Sequence, residues 1–187
     1  MELQKYEQEH LDILRPLLPE CTVLLKKNGD FPLGKPGKIA LYGAGAAKTI
    51  KGGTGSGDVN ERDYVTIAQG MKNAGYEVTT ESWLDSYMKI YNQAREDWKA
   101  EILKKAERLD SALPFWDAYS ATPFFMPCGD GIDVEVAKGD GADTAVFVIA
   151  RIAGENKDRF DKEGDYFISA EEKALLAQVC ELSLIHI

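Results

Sequence analysis

The spacing of apolar residues changes along the chain, and each change marks an element. In residues 2–28, Leu11, Leu14, Leu17, Leu18, Val23, Leu24 and Leu25 stand among Glu and Lys at mostly helical spacing. Pro16 and Pro19 must break or restart that helix, because proline lacks an N–H and its ring clashes with the preceding turn. The run KIALYG (38–43), bounded by Pro36-Gly37 and Gly43, reads as a buried strand. Behind it, ERDYVTIAQGMKNAG (61–75) puts Val65, Ala68, Met71 and Ala74 on one face, so a helix is predicted from just after Asn60 to a closing Gly75. YEVTT (76–80) is a second strand. Strand, helix and strand in this order make a βαβ unit, which implies a right-handed crossover and a parallel sheet.

Ser82 opens a long helix with a stripe of Leu84, Tyr87, Tyr91, Trp98, Ile102, Ala106 and Leu109. The stripe keeps no sustained heptad, so the helix is expected to pack on its own domain rather than project as a coiled-coil arm. Residues 110–143 show no period and are rich in Pro, Gly and aromatics, which predicts a long ordered excursion without regular elements. Their acids lack the spacing of an EF-hand. TAVFVIAR (144–151) is the most apolar strand in the chain, IAGENKDRFDKEGDYF is a loop, and SAEEKALLAQVCEL (169–182) is a helix with Ser169 and Glu172 in capping-box register. The final residues 182–187 break the amphipathic pattern, resemble a translated sequencing adapter, and are read as a non-native tail.

Composition narrows the function classes. With 187 residues, 44% hydrophobic and 28% charged, the chain suits one folded domain. A net charge of −9 argues against nucleic acid, whose phosphates demand a basic face. No run reaches the length of a membrane span, and the N-terminus has neither a basic nor a continuous apolar leader region, so a cytoplasmic protein with no membrane partner is expected. Cys21, Cys128 and Cys180 are widely spaced and odd in number, so they are expected to be reduced core residues. Two histidines, His10 and His186, leave little for a Ser/His/Asp triad or a metal site, and neither metal nor cofactor is called for.

Chemistry concentrates in two loops. YGAGAAKTIKGGTGSGDVN (42–60) packs six glycines behind the first strand. A phosphate loop needs GxxxxGK before Ser or Thr, yet Ala47 precedes Lys48-Thr49; the dinucleotide fingerprint needs a third glycine where Lys48 stands. What remains is a later loop in which Gly55, Ser56, Gly57, Asp58 and Asn60 either contact a ligand or simply form a turn ending in an Asp or Asn helix cap. In parallel α/β sheets ligands sit beyond the carboxyl ends of strands, and both this loop and IAGENKDR follow such strands. Glu155, near Asp158 and Arg159, is then a candidate carboxylic acid, its alternative being a solvated loop glutamate.

VLLKKNGDFPL, KIALYGAGAAKTIKGGTGSGDVN and AVFVIARIAGENKDRF...KEGDYFIS, in that order over residues 10–181, resemble successive signatures of the α/β-sandwich domain of glycoside hydrolase family 3. The resemblance implies a three-layer sandwich with a mostly parallel sheet flanked by helices, residues 1–181 being that domain, incomplete at its C-terminal end. It implies Glu155 as general acid/base, standing in Ala153-Gly154-Glu155-Asn156 where the family has Ser-Gly-Glu-Gly, and Gly55, Ser56, Gly57, Asp58 and Arg159 as substrate-binding residues. It also implies a small oligosaccharide or glycoside substrate and a nucleophilic aspartate on a barrel domain of the same chain, in reversed domain order, without which the fragment is inactive. The rival is a carbohydrate- or nucleotide-binding α/β module with no catalytic partner. Phe115, Trp116, Tyr119, Phe124 and Phe125 either offer aromatic platforms for a sugar ring or pin down the excursion, and they are left outside the site.

Overall fold

A computed structural model describes residues 2–27, 32–53, 55, 57, 59, 61–133, 141–142, 144–154, 158–182 and 185–186. These fall into two compact units, Met1–Lys35 with Glu61–Asp63, and Pro36–Asn60 with Tyr64–Ile187.

The first unit is built on helix α1 (Lys5–Leu17) and a 3-10 turn (Pro19–Cys21). Glu7 turns back to accept a hydrogen bond from the Gln4 N–H at 2.6 Å, closing the first turn. Arg62 grips the same carboxylate with both terminal nitrogens, at 2.7 and 2.9 Å, and this contact, with the Gln4 N–H, holds the Glu7 carboxyl below its usual range. The helix runs through Pro16 and stops before Pro19. None of its residues is buried.

The second unit is a parallel sheet in the order β2-β1-β3-β4, flanked by helices, which is the α/β sandwich expected. Strand β1 (Lys38–Tyr42) is central, and Ile39, Ala40, Leu41 and Tyr42 are all buried, as a strand covered on both faces requires. It pairs with β2 (Glu77–Val78) on one side and β3 (Thr144–Phe147) on the other, with Ile39 opposite Val78 and Thr144. Thr80 extends the short β2 by side chain: its hydroxyl accepts from Leu41 N at 2.8 Å and donates to Leu41 O at 2.7 Å. Strand β4 (Ile185–His186), inside the stretch read as a tail, lies parallel to β3 at the sheet edge.

Helix α2 (Ala44–Ala47) follows β1 directly, and α3 (Ile67–Asn73) follows the glycine loop. The α3 cap is Thr66, whose hydroxyl accepts from Gln69 N, so the helix starts six residues later than the pattern implied and no Asp or Asn caps it. It closes at Gly75, with Gly75 N bonded to Lys72 O and Tyr76 N to Met71 O. The long helix α4 (Glu81–Ala106) buries Trp83, Leu84, Tyr87, Tyr91 and Ile102. Trp83 stacks on Tyr87 at 5.8 Å and meets Tyr42 edge-on at 5.7 Å, so the helix packs on its own sheet. The excursion corrects the expectation that it lacks regular structure, because α5 (Pro114–Ala121) forms within it and packs on α4, with Ala118 buried. Its aromatic content hides the amphipathic signal, while Pro114 supplies the preset backbone of a first helical turn. Helix α6 (Ala170–Leu182) carries the predicted capping box: Glu172 N donates to Ser169 Oγ at 3.1 Å and Ser169 N to Glu172 Oε2 at 2.9 Å.

The cysteines are a second correction: all three are free, but Cys21 and Cys180 are exposed and Cys128 only half-buried. Among the described residues no helix is long and apolar enough to cross a membrane.

Candidate active site

The first glycines behind β1 serve packing. Gly43 has φ +87°, and a Cβ there would stand 2.4 Å from the Val148 carbonyl oxygen, so only glycine lets β1 turn into α2 against the end of β3. Gly45 N then donates to Val148 O at 3.0 Å. Thr49 spends its hydroxyl donating to Gly45 O and accepting from Ile67 N, and Lys48 places its ammonium 4.5 Å from the centre of the Tyr64 ring. The pair that looked like a phosphate loop is therefore occupied in tying α2 to α3.

Further on, Gly53 brings the two candidate loops together. A Cβ at Gly53 would lie 2.3 Å from Ala153 O, so the glycine loop runs directly against the backbone that leads into Glu155. Gly55 and Gly154 both line one cavity of about 200 Å³, whose walls are Trp98, Tyr119, Thr122, Phe124, Phe125, Ala153, Asp158 and Phe160 among others. The two loops after parallel strands thus share a rim. Gly57 packs back against Gly53. Ser56, Asp58 and Glu155 lie outside the described residues, as do Asn60, Asn156 and Lys157.

Beyond Gly154 the chain is clamped. Arg159 donates to Asp165 Oδ1 at 2.9 Å and to Ile152 O at 3.2 Å, closing the loop across its base. Asp165 is buried, and the Phe160 N–H on its other oxygen, with Arg159, holds its carboxyl below the usual range. Arg151 forks onto Glu172 at 2.6 Å through each terminal nitrogen, and also donates to the carbonyls of Asp165, Ala150 and Phe167. The loop is thereby fastened to the first turn of α6. Burial works to raise the Glu172 carboxyl, but the hydrogen bonds from Arg151 and Ser169 outweigh it and the net displacement is downward.

Sequence reasoning missed Arg151 and Asp165 in this clamp and Trp98 in the cavity wall. The capping-box register did single out Glu172, but nothing local reveals which arginine it meets 21 residues away.

Residues 22–183 match the Glycosyl hydrolase family 3 C-terminal domain, and the chain belongs to that family. It is 29% identical over 175 residues to a beta-glucosidase of Ruminococcus albus, covering 91% of this chain and 16% of the relative. Against beta-glucosidase A of Butyrivibrio fibrisolvens the identity is 27% over 180 residues, covering 91% and 18%. The structure of beta-glucosidase 3B from Thermotoga neapolitana in complex with alpha-D-glucose aligns at a TM-score of 0.61 with 29% identity, over 95% of this chain and 23% of that one. The chain spans less than a fifth of the length of these curated relatives.

Proposed function

We propose that this domain supplies the general acid/base of an exo-acting retaining glycoside hydrolase of β-glucosidase type, which removes terminal β-linked sugars from oligosaccharides or glycosides. The observation that carries the reading is the contact of Gly53 with Ala153 O, which sets the glycine loop beside the residues leading into Glu155. A binding loop and an acid loop on one rim are what a sugar site needs.

Glu155 protonates the leaving oxygen and later deprotonates water, while a second carboxylate attacks the anomeric carbon; in a retaining enzyme the two stand about 5 to 5.5 Å apart. The second carboxylate belongs to a barrel domain joined to this one, and the fragment alone is inactive. Gly55, Ser56, Gly57 and Asp58 contact the substrate through the glycine loop. Arg159, expected to bind substrate, is bonded to Asp165, which spends part of its charge inside the loop. Burial by the barrel and repulsion from the nucleophile then raise the acid into its working range. Residues 182–187 remain our candidate for a non-native tail, since any short extended segment can add to an open sheet edge.

The test is Glu155→Ala in the enzyme containing both domains. Activity on substrates with poor leaving groups should fall by roughly 100-fold or more, and azide should restore turnover on activated substrates. An undiminished rate would remove Glu155 from the mechanism.

A further inference from the structure

In a chain whose net charge is −9, two half-buried cations have no anion beside them. Neither Lys48 nor Arg95 makes a hydrogen bond or an ion pair among the described residues. What holds them is aromatic. The Lys48 ammonium stands 4.5 Å from the centre of the Tyr64 ring and 5.9 Å from that of Tyr91, and the Arg95 guanidinium stands 4.5 Å from Trp98 and 4.9 Å from Phe124. Tyr91, Arg95 and Trp98 recur at i, i+4 and i+7, so one face of α4 carries them. The rings are fixed in turn. Tyr64 donates its hydroxyl to Thr49 O, Trp98 donates its indole N–H to Thr122 O at 2.7 Å, and Phe124 meets Trp98 at 5.6 Å and Tyr91 at 5.8 Å.

An aromatic face steadies a cation without consuming all its donors. A guanidinium held over a ring keeps N–H groups at its edge, in the planar fork that matches a carboxylate, and an ammonium keeps the donors turned away from its ring. The acids nearest Arg95 in sequence are engaged elsewhere: Glu96 pairs with Lys99 at 2.7 Å, and Asp97 accepts from the Gln93 amide at 2.9 Å. A cation that has given up part of its hydration and gained no counterion keeps its attraction for an arriving anion. The charge of that anion is limited. Trp98 and Phe124 also wall the cavity that Asp158 and Asp165 line, and those carboxylates, with the chain's −9, oppose a phosphate dianion more than a singly charged carboxylate.

We propose that Lys48 and Arg95 form a carboxylate-binding site beside the glycine loop, Arg95 supplying paired donors and Lys48 a second positive charge. The rings fix where both cations stand before the carboxylate arrives, which lowers the ordering cost of binding. The carboxylate comes either from an acidic sugar or from an Asp or Glu side chain in the remainder of a longer enzyme, since this chain spans less than a fifth of the length of its curated relatives. The site stands independently of the role of Glu155.

The probe is glucuronate, titrated into the 187-residue chain and followed by NMR beside glucose, its neutral counterpart. Millimolar glucuronate should move the Arg95 Nε–H and Lys48 side-chain resonances, and glucose should not. Arg95→Gln and Lys48→Gln should each weaken binding about tenfold, as losing one charge-assisted hydrogen bond would. Arg95→Lys, which keeps the charge and loses the fork, should fall between wild type and Arg95→Gln. Unchanged Trp83 and Tyr87 ring resonances report that the fold survives. Equal shifts with the two sugars, no shifts with either, or equal affinity in folded variants would overturn the site. The enzyme containing both domains then separates the two sources. Glucuronate binding retained there assigns the carboxylate to a ligand. Glucuronate excluded, with a Tm lowered by Arg95→Gln at low salt and not at high salt, assigns it to a side chain of the enzyme. Exclusion with no effect of Arg95→Gln on Tm would also overturn the site.

Discussion

Removing the carboxylate of Glu172 should unfasten the loop that follows β3. Its partner Arg151 keeps 17% of its side chain exposed and Glu172 keeps 9%, so the pair is nearly dry and both terminal nitrogens of the guanidinium point at it. Glu172→Ala leaves that cation without its anion, and Ser169 N without its acceptor. Breaking a buried pair from one side costs about 3–5 kcal/mol, and residual solvent at Arg151 puts this case near about 3. For a domain of this size that corresponds to a drop in Tm of roughly 6–12 °C. The depressed Glu172 pKa gives the sign of the pH dependence. The carboxylate's contribution is complete above the ordinary value of 4.5 and disappears as pH falls below it through the lower folded value. Urea unfolding of wild type and Glu172→Gln, which keeps an acceptor for Ser169 N, should therefore differ at pH 7 and converge in acid. A neutral-pH difference below about 0.5 kcal/mol, the scale of an exposed pair, would refute the reasoning. So would a difference that grows as the pH drops.

Three other outcomes follow from the packing. Thr80→Val keeps shape but leaves Leu41 N–H and C=O unpaired at a fully buried position, so stability should fall by about 2–3 kcal/mol, with faster hydrogen exchange at the Leu41 amide. Gly53→Ala drives a Cβ into Ala153 O and should cost about 1–3 kcal/mol by thermal melting; in the two-domain enzyme it should lower activity even when assayed well below Tm. Cys128 has its thiol pushed up to about 11, first by burial and then by its hydrogen bond to Asp130, so alkylation at pH 8 should modify Cys21 and Cys180 quickly and Cys128 slowly.

Much of this protein is written locally. The continuous apolar run of β1, the period of α4, the capping box at Ser169 and Glu172 and the closing Gly75 each depend on residues within a turn or two of one another, so the sequence alone determined the alternation of β1, α3, β2, α4, β3 and α6 and a parallel α/β sheet. Family motifs added the Glu155 and glycine-loop assignments. Other features depend on partners remote in the chain, and only the tertiary structure decided them. Thr80 completes the pairing of Leu41 from 39 residues away. Gly53 is a glycine because Ala153 O passes 2.3 Å from where its Cβ would be, and α5 holds its place because it packs on α4. The cysteines, apolar enough for a core, are exposed at Cys21 and Cys180 and half-buried at Cys128. Periodicity announces which face of an element wants burial; what covers it, and which side chains meet around a cavity, is fixed only when distant segments compete for the same contacts.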